Sequence, residues 1–582
     1  MDVYIGFVDS CAQWYSEAKR RPCCKLSAVL KASAGLGEFG SWALSAQPLL
    51  ALVAFAMAAP SSHSMEDIAS HYADKLAQDF DHRRTLKSVM QRLRKTPLRV
   101  GTACSGTDGI IKWLAKLNGA MQSLGVLPMA ACFFYFAFAC EFDMDILKFH
   151  TKQFGSSVPL FTDISDLGNA NGAFEHHSTS PMLVPWVALL IAGFSCKDVS
   201  VQSTNKRDRR DVIRTGMHST GTTWHGVLHY LANNRPWVCL AENVEGLLSQ
   251  VGVMHEQVEA LGYKLHTLRL NAEDFCLPQK RPRVYFIIVH RLYDDFPLAT
   301  VWQIVELLRT PPLDIHTILA SSSTGLGDDS AASSCVGEFG SFGEGNSGNS
   351  TGQQRQRSCR KVGAKWFEQH RALFNQAGLP FVVPTDSELG GCASDGFLSL
   401  SLRERSIVQY WTLHGVSEGF LDVSESLERF QPIHADCISC ITTSAVHYNF
   451  SAGKKLGLPA LWNLQGLDWN LWDNLHQYPN GLLKKLVGNS FSIPTMGAVF
   501  LALLLSLRWP RSEQEAFLWM TGGIPRDPSS PPSSSDEEAD ADVGEPGSLS
   551  EGVDADEGMH VVEFACSGVG ELGVLADMAS LC

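Results

Sequence analysis

The chain has 582 residues, 45% of them hydrophobic, and a formal net charge of −14. This length and composition exclude a small disulfide-stapled domain and predict a globular protein with a large core. Its sixteen irregularly spaced cysteines favour a reducing compartment and free thiols. The charge does not exclude a nucleic-acid partner. Residues 536–557 hold ten of the acidic side chains and no basic one, whereas residues 83–99 and 206–210 are basic.

Residues 1–96 are interpreted as an N-terminal extension of uncertain role. Its segment 39–65 is apolar, contains no Asp, Glu, Lys or Arg, and is interrupted by Pro48. A buried or poorly ordered extension, or a misassigned start, is favoured over a membrane span. We therefore expect no membrane association.

Residues 97–291 alternate short apolar runs, such as LRVGTA and VALLIAGF, with amphipathic stretches. Continuous apolar strands separated by helices are typical of a parallel sheet covered on both faces. The sequence therefore predicts an α/β domain with a doubly wound, mostly parallel sheet. In such sheets, ligands bind beyond the carboxyl ends of the strands.

The remaining chain is predicted to contain an inserted region, a closing segment and a tail. A Ser- and Gly-rich stretch is expected to be flexible, and an acidic stretch rich in Pro and Ser is expected to be a disordered linker. ACSGVGE near the end repeats the earlier ACSGTDG, either by chance or as the start of a truncated second copy. The expected boundaries are 292–455 for the insertion, 320–358 for its flexible part, 456–509 for the closing segment, 510–560 for the linker and 561–582 for the repeat.

Three polar features follow the first three apolar runs. The glycine-containing turn TACSGTDG (102–109) follows the first run and would bring backbone close to a ligand. Glu141 ends the second run, where a carboxylate can accept both hydroxyl groups of a ribose. Asp163 follows the third run and can accept a hydrogen bond from an adenine amino group. Together they predict a nucleoside-binding edge of the sheet.

Cys196 directly follows the apolar run 184–194, in GFSCKDVS. An isolated cysteine in such a place is more often a structural thiol. Here, however, it is followed in order by AENVEG (241–246), PQKRPRVYFI (278–287) and VGNSFS (487–492). In this order, the chain resembles the cytosine-C5 methyltransferase family, which uses S-adenosylmethionine to methylate cytosine in DNA and, in one branch, in transfer RNA. The resemblance covers about residues 97–509.

The resemblance implies a class I, Rossmann-like methyltransferase fold with an inserted target-recognition region. It also implies catalytic roles. Cys196 would attack cytosine C6, and Glu242 would face the pairing edge of the base. Arg281 and Arg283, two residues apart, would point from one side of a strand toward the base and the active carboxylate. Two residues would have supporting roles, Asn243 for the cysteine loop and Gln279.

By the same resemblance, one set of residues would bind S-adenosylmethionine: Ser105, Gly106, Gly109, Glu141, Phe142, Asp163, Asn489 and Ser490. The chain departs from the family pattern at three positions. Cys104 and Asp108 stand where relatives have Phe and a second Gly. Ser195 stands where Pro is common in relatives. Proline would stiffen the turn before the nucleophile, and serine makes that turn less rigid.

A duplex hides the reacting atoms of cytosine, so the base must be flipped into the pocket. A basic loop after Cys196 fits phosphate binding, with a merely solvated loop as the alternative; its residues are Lys206, Arg207, Arg209 and Arg210. The CISC stretch (437–440), with His434 and His447 nearby, is a weak zinc signal, and no metal is expected.

The sequence thus predicts transfer of a methyl group to C5 of cytosine in DNA. DNA is favoured over RNA because a large insertion suits duplex recognition. The alternatives are a transfer-RNA cytosine methyltransferase and a catalytically silent nucleic-acid-binding relative. Nuclear residence is expected from the substrate alone.

Overall fold

The computed structural model describes residues 62–200, 211–291, 296–322, 365–382, 397, 399–428 and 432–507. Several predicted features lie outside the described residues: nearly all of the apolar segment 39–65, residues 206–210, most of the Ser- and Gly-rich stretch, the acidic linker and the C-terminal repeat.

The described residues contain fourteen β-strands, most of them short. Seven form the central sheet, in the order β3-β2-β1-β6-β7-β10-β8. The strands are β1 (Leu98–Ala103), β2 (Phe134–Cys140), β3 (Leu160–Phe161), β4 (Ala173–Phe174), β5 (Pro181–Met182), β6 (Leu189–Ala192), β7 (Val238–Asn243), β8 (Tyr263–Asn271), β9 (Gln279–Lys280), β10 (Pro282–His290), β11 (Phe420–Asp422), β12 (Ile438–Ser439), β13 (His447–Asn449) and β14 (Lys454–Lys455).

The central sheet is mostly parallel. Strands β3, β2, β1, β6 and β7 pair in parallel, and β10 runs antiparallel to both β7 and β8. Both faces of the strands are buried, which is why they read as continuous apolar runs. On β6, Ile191 faces one hydrophobic core and Leu190 the other. The predicted doubly wound, mostly parallel α/β sheet is confirmed.

Helices cover both faces of the sheet. Side chains of α1 to α4, α8 and α14 fill one core, and those of α6 and α7 fill the other. The helices are α1 (Met65–Gln78), α2 (Phe80–Leu93), α3 (Gly109–Ser123), α4 (Met144–Phe154), α5 (Val212–Thr215), α6 (His218–Asn234), α7 (Val251–Ala260), α8 (Leu298–Leu308), α9 (Ile315–Ser322), α10 (365–376), α11 (Leu402–Leu413), α12 (Leu458–Leu464), α13 (Asn480–Asn489) and α14 (Ile493–Ser506).

The end of the N-terminal extension is part of the main hydrophobic core. Met65, Tyr72 and Leu76 of α1 are fully buried in the core that α3 and α14 share. The ammonium group of Lys75, also on α1, donates hydrogen bonds to the carbonyl oxygens of Leu307 (3.4 Å) and Arg309 (2.7 Å). These carbonyls lie at the end of α8, where helical backbone lacks internal partners. Residues 65–93 are therefore built into the fold.

The expected boundary at residue 292 also differs from the structure. Val301, Ile304 and Ile318, on α8 and α9, are buried in the same core as α14. A separate small core lies farther along the chain; it contains Leu400, Ile407, Val408, Leu421, Val423 and Tyr448. The apolar faces of α8 and α9 thus extend the main core to residue 322, and the region with the separate small core lies after them.

Within the described residues, one helical stretch, 480–506, is long and apolar enough to cross a membrane. Of its most apolar 18 residues, 89% are buried inside the protein. It comprises α13 and α14. Every residue of α14 from Ile493 to Leu505 is buried. A helix that is apolar all round is the expected centre of a large core.

Lys75 makes the stability of the fold depend on pH in a definable way. Burial lowers the pKa of Lys75 from 10.5 to about 8. Between these pH values the folded chain has lost a proton that the unfolded chain keeps, so the free energy of unfolding should rise with pH. We expect Lys75→Met to remove that rise in chemical denaturation at pH 8 and 10.5. Lys87→Met, at an exposed position of α2, is the control. Equal pH dependence in wild type and Lys75→Met would contradict this assignment.

Candidate active site

Cys196 lies just beyond the carboxyl end of β6, in a loop that touches the turn after β1. A Cβ atom on Gly193 would come within 2.6 Å of the carbonyl oxygen of Cys104. Only glycine allows the two loops to approach this closely. The Cys196 side chain is partly exposed. The predicted nucleophile and the predicted glycine turn therefore lie side by side at one edge of the sheet.

Glu242 and Asn243 end β7, the neighbour of β6. The side-chain amide of Asn243 donates to the carbonyl oxygen of Phe194 at 2.9 Å, so it holds the loop that carries Cys196. Glu242 forms an ion pair with Arg283, 3.0 Å between Oε1 and Nε, and both side chains are nearly buried. Arg283 lies on β10, which pairs with β7 and brings the two residues together.

Arg283 also acts on the thiol of Cys196. Burial raises the pKa of Cys196, the positive charge of Arg283 lowers it, and the negative charge of Glu242 raises it; the net effect is a raised pKa. The structure thus brings Cys196, Glu242 and Arg283 into one electrostatic cluster. In the absence of substrate, the thiol is the favoured form at neutral pH.

Arg281 makes its hydrogen bonds to segments outside the cluster of Cys196, Glu242 and Arg283. Its guanidinium donates to the carbonyl oxygens of Ile441 (2.8 Å) and Ser490 (2.9 Å), and the residue is 4% exposed. These bonds direct it toward two distant chain segments, whereas Arg283 takes the contact with Glu242. These bonds join the segment before β10 to the closing segment, and the charge of Arg281 also lowers the pKa of Cys196. The catalytic role of Arg281 stays a prediction.

Gln279 has a similar supporting role. Its amide group donates to the side-chain oxygen of Gln465 at 3.0 Å, and Gln465 in turn donates to the carbonyl of Ser490 at 2.8 Å. All three residues are fully buried or nearly so. The Gln-x-Arg-x-Arg element thus anchors the segment that closes the catalytic domain.

Cys440 contacts both arginines of this site, a place that its CxxC spacing did not predict. Its sulfur accepts hydrogen bonds from Arg281 (3.4 Å) and Arg283 (3.2 Å). Burial raises the pKa of Cys440, but the two guanidinium groups lower it more, and the net pKa is lowered. Its CxxC spacing suggested zinc only weakly. Among the described residues, no group of three or more His, Cys, Asp or Glu side chains is arranged to hold a metal ion.

The glycine turn after β1 packs on the closing segment. Gly106 has a φ of +74°, and a Cβ atom there would lie 3.0 Å from the backbone of Asn489. Next to it, the hydroxyl groups of Thr107 and Ser490 are hydrogen-bonded at 2.8 Å. Two predicted cofactor-binding segments, separated by almost 400 residues, therefore form one surface.

The structure explains how Asp108 replaces a glycine in this turn. Cys104 and Asp108 both have positive φ, 53° and 55°, and aspartate tolerates this conformation because its side chain can hydrogen-bond locally. Its carboxylate accepts from the Ser105 hydroxyl and lies 3.4 Å from Nδ1 of the buried His150. Gly109 is also required, since a Cβ atom there would lie 2.5 Å from Leu467.

Carboxylates follow the next two strands, as the sequence predicted. Glu141 accepts a backbone hydrogen bond from Phe142 at 3.0 Å, and burial, only partly offset by His150 and these bonds, raises its pKa. Phe142 is 78% exposed. Asp163 accepts from the backbone of Ser165 at 2.8 Å. A partly buried carboxylate, an exposed aromatic ring and a further acceptor thus follow β2 and β3 at the carboxyl end of the sheet.

The predicted phosphate-binding residues lie outside the described part of the chain: Lys206, Arg207, Arg209 and Arg210. Their assignment stays a prediction.

The electrostatic cluster makes a testable prediction about the thiol. Glu242→Gln removes a negative charge that disfavours the Cys196 thiolate, so the pKa of Cys196 should fall and its alkylation should become faster at pH 7–8. Iodoacetamide labelling followed by peptide mass spectrometry measures this rate. Buried Cys239, in the same protein, is the internal control. An unchanged or slower rate at Cys196 would show that Glu242 does not act on the thiol.

Comparison with known proteins agrees with this geometry. The profile of the C-5 cytosine-specific DNA methylase family matches residues 123–309. DNA (cytosine-5-)-methyltransferase DMT5 of Verticillium dahliae is 24% identical over 250 residues, 34% of this chain and 10% of the relative. Type II methyltransferase M.HaeII of Haemophilus aegyptius is 28% identical over 167 residues, 28% of this chain and 45% of the relative.

Among solved structures, the S. pombe Dnmt2 methyltransferase aligns with 14% identity and a TM-score of 0.37, covering 70% of this chain and 98% of that one. The match covers 10% of the length of the Verticillium dahliae relative and 45% of the length of M.HaeII. The segment matched by the family profile contains Cys196, Glu242 and Arg283 in the order and the strand positions that bring them together. Residues 123–309, which contain these three residues, are therefore similar to the C-5 cytosine-specific DNA methylase family.

Proposed function

We propose that the chain transfers a methyl group from S-adenosylmethionine to C5 of cytosine in DNA, through a temporary bond between Cys196 and C6 of the base. The observation that carries this proposal is the cluster around Arg283, which pairs with Glu242 at 3.0 Å. Burial raises the pKa of the nearby Cys196 thiol, and the positive charge of Arg283 offsets part of that rise. A thiol, a carboxylate and a fixed positive charge are the groups that this chemistry requires.

Cys196 begins the reaction as a nucleophile. After the thiol gives up its proton to solvent, its sulfur forms a bond to C6, and the electron pair of the C5–C6 double bond shifts toward C4 and N3. Negative charge therefore develops at the pairing edge of the base. Glu242 stabilises that edge by a hydrogen bond or a shared proton at N3, and Arg283 keeps the carboxylate in place.

The same residues allow the reaction to finish. C5 is now rich in electrons and would take the methyl group from the sulfonium sulfur of the donor, which would leave as a neutral thioether. Loss of the C5 proton to a base and breakage of the C6–sulfur bond then restore the aromatic ring and release Cys196. A thiolate is a good leaving group, which is why cysteine suits a step that must reverse.

S-adenosylmethionine supplies the methyl group when it is bound. The residues that would hold it lie at the ends of β1, β2 and β3. Glu141 and Phe142 suit the ribose and the adenine ring, and Gly106, with Ser490 packed behind it, allows close approach of backbone. Asp163 supplies a further acceptor beside them.

DNA is proposed over transfer RNA because the region 292–455 is large, and nuclear residence is proposed only as a consequence of that substrate. The decisive experiment incubates the protein with labelled S-adenosylmethionine and either DNA or transfer RNA, followed by nucleoside analysis. We expect labelled 5-methylcytosine from DNA. If only transfer RNA were labelled, transfer RNA and not DNA would be the substrate. If the protein bound DNA but not the methyl donor, it would be a catalytically silent nucleic-acid-binding relative.

Cys196→Ser should abolish methyl transfer and leave the affinity for S-adenosylmethionine nearly unchanged, because the thiol contacts the base and not the methyl donor. Nucleoside analysis measures the transfer, and calorimetric titration measures the affinity. Cys440→Ser, which keeps a hydrogen-bond acceptor for the two arginines, should retain activity. Turnover retained by Cys196→Ser would overturn the mechanism.

Glu242→Gln should slow transfer by about a hundredfold or more, since a positioned acid or base contributes on that order. DNA binding, measured by fluorescence anisotropy, should persist. Loss of folding, detected by circular dichroism, would instead assign Glu242 a structural role.

A further inference from the structure

Ser195 is held by a bond that proline could not make. Its backbone N–H donates to Oγ1 of Thr223 at 3.0 Å, whereas proline has no N–H to donate. Its side-chain hydroxyl donates to the hydroxyl of Ser219 at 3.1 Å. Both partners lie in the first two turns of α6. The loss of proline before the nucleophile is thus accompanied by two new contacts to a neighbouring helix.

Asp198, two residues after the nucleophile, completes the connection. The N-cap position of α6 is Met217, which has no side-chain acceptor. Asp198 takes over that function from a distant loop: its carboxylate accepts from the backbone N–H of Thr220 at 2.8 Å and from the hydroxyl of Ser219 at 3.1 Å. In return, the Thr220 hydroxyl accepts from the backbone N–H of Asp198 at 3.1 Å.

The charge on Asp198 supports this reciprocal capping. Burial raises the pKa of Asp198, but the hydrogen bonds from Thr220 and Ser219 lower it more, so that the net pKa is lowered. The carboxylate is therefore ionised at neutral pH. A charged acceptor at a helix N-terminus forms strong hydrogen bonds and interacts favourably with the helix dipole. The two sides of the loop, residues 195 and 198, are fixed to the same helix.

We propose that this hydroxyl clamp, formed by Ser219, Thr220 and Thr223 of α6 with Ser195 and Asp198 of the loop, positions Cys196 for attack. It takes the place of the rigid proline turn that is common in the family. The role assigned to Cys196 rests on the proposed function, whereas the clamp itself is a property of the fold. The residues of the clamp are positioning residues, since they act through the loop.

The central test removes the acceptor for the Ser195 N–H. Thr223→Val is nearly isosteric, leaves that N–H without its partner and should lower kcat about three- to tenfold, the effect of one hydrogen bond, with KM for the methyl donor unchanged. Thr223→Ser keeps the hydroxyl and should retain activity. Thr222→Val is the matched control, because the Thr222 hydroxyl bonds Gly216 and not the loop.

Ser195→Pro separates positioning from simple destabilisation of α6. Proline removes the N–H and restores a fixed φ, so Ser195→Pro alone should lower activity only slightly. The double variant Ser195→Pro/Thr223→Val should be as active as Ser195→Pro, because no N–H is left without a partner. A defect of α6 itself would not be rescued in this way. If Ser195→Pro fails to fold, the contrast between Thr223→Val and Thr223→Ser still tests the proposal.

Hydrogen exchange provides a readout independent of activity. In Thr223→Val, the Ser195 amide should exchange faster than in wild type and in Thr222→Val. If wild type methylates no nucleic acid, the proposed function fails while this measurement still tests the clamp. Unchanged exchange at Ser195, or a double variant no more active than Thr223→Val, would overturn the clamp.

Discussion

The ion pair between Arg283 and Glu242 is the interaction on which the site depends. Both side chains are nearly buried, and taking two charges out of water costs several kcal/mol, about as much as their attraction returns. Such a pair contributes little net stability. Its value lies in placing a carboxylate and a positive charge where a pyrimidine ring would enter, with Cys196 within reach of both fields.

Ser490 joins the two halves of the site. Its carbonyl oxygen accepts from Arg281 and Gln465, and its hydroxyl group bonds Thr107 in the glycine turn. The glycine turn after β1 and the Gln-x-Arg-x-Arg element therefore share one buried residue near the end of the described chain. This explains why a segment so distant in sequence from the first strand belongs to the same domain.

The sequence was sufficient to predict the mostly parallel central sheet, because strands that are buried on both faces appear in the sequence as apolar runs, as in β1 and β6. It also singled out Cys196, Glu242 and Glu141, because each follows such a run and the order of the motifs is specific; the roles of these residues stay predictions. It did not predict the partners of Arg281 or the place of Cys440, since both depend on contacts between segments more than 150 residues apart.

Other features were hidden for physical reasons. Asp108 stands where relatives have glycine, and its carboxylate lies beside His150 of another helix. Nothing in the local sequence pattern connects these two residues. The boundaries at 97 and 292 were misplaced because amphipathic helices such as α1 and α8 look alike whether they cover the main sheet or a separate domain. Only packing against α14 distinguishes these cases.

The bonds of Lys75 to the end of α8 have a practical consequence for dissection of the protein. A fragment that begins at the first strand would leave the α8 carbonyls without their donor and expose the apolar surfaces of α3 and α14 that α1 covers. The smallest piece of this chain able to close its own interior must therefore reach back to the serine at position 64, whose side chain caps α1.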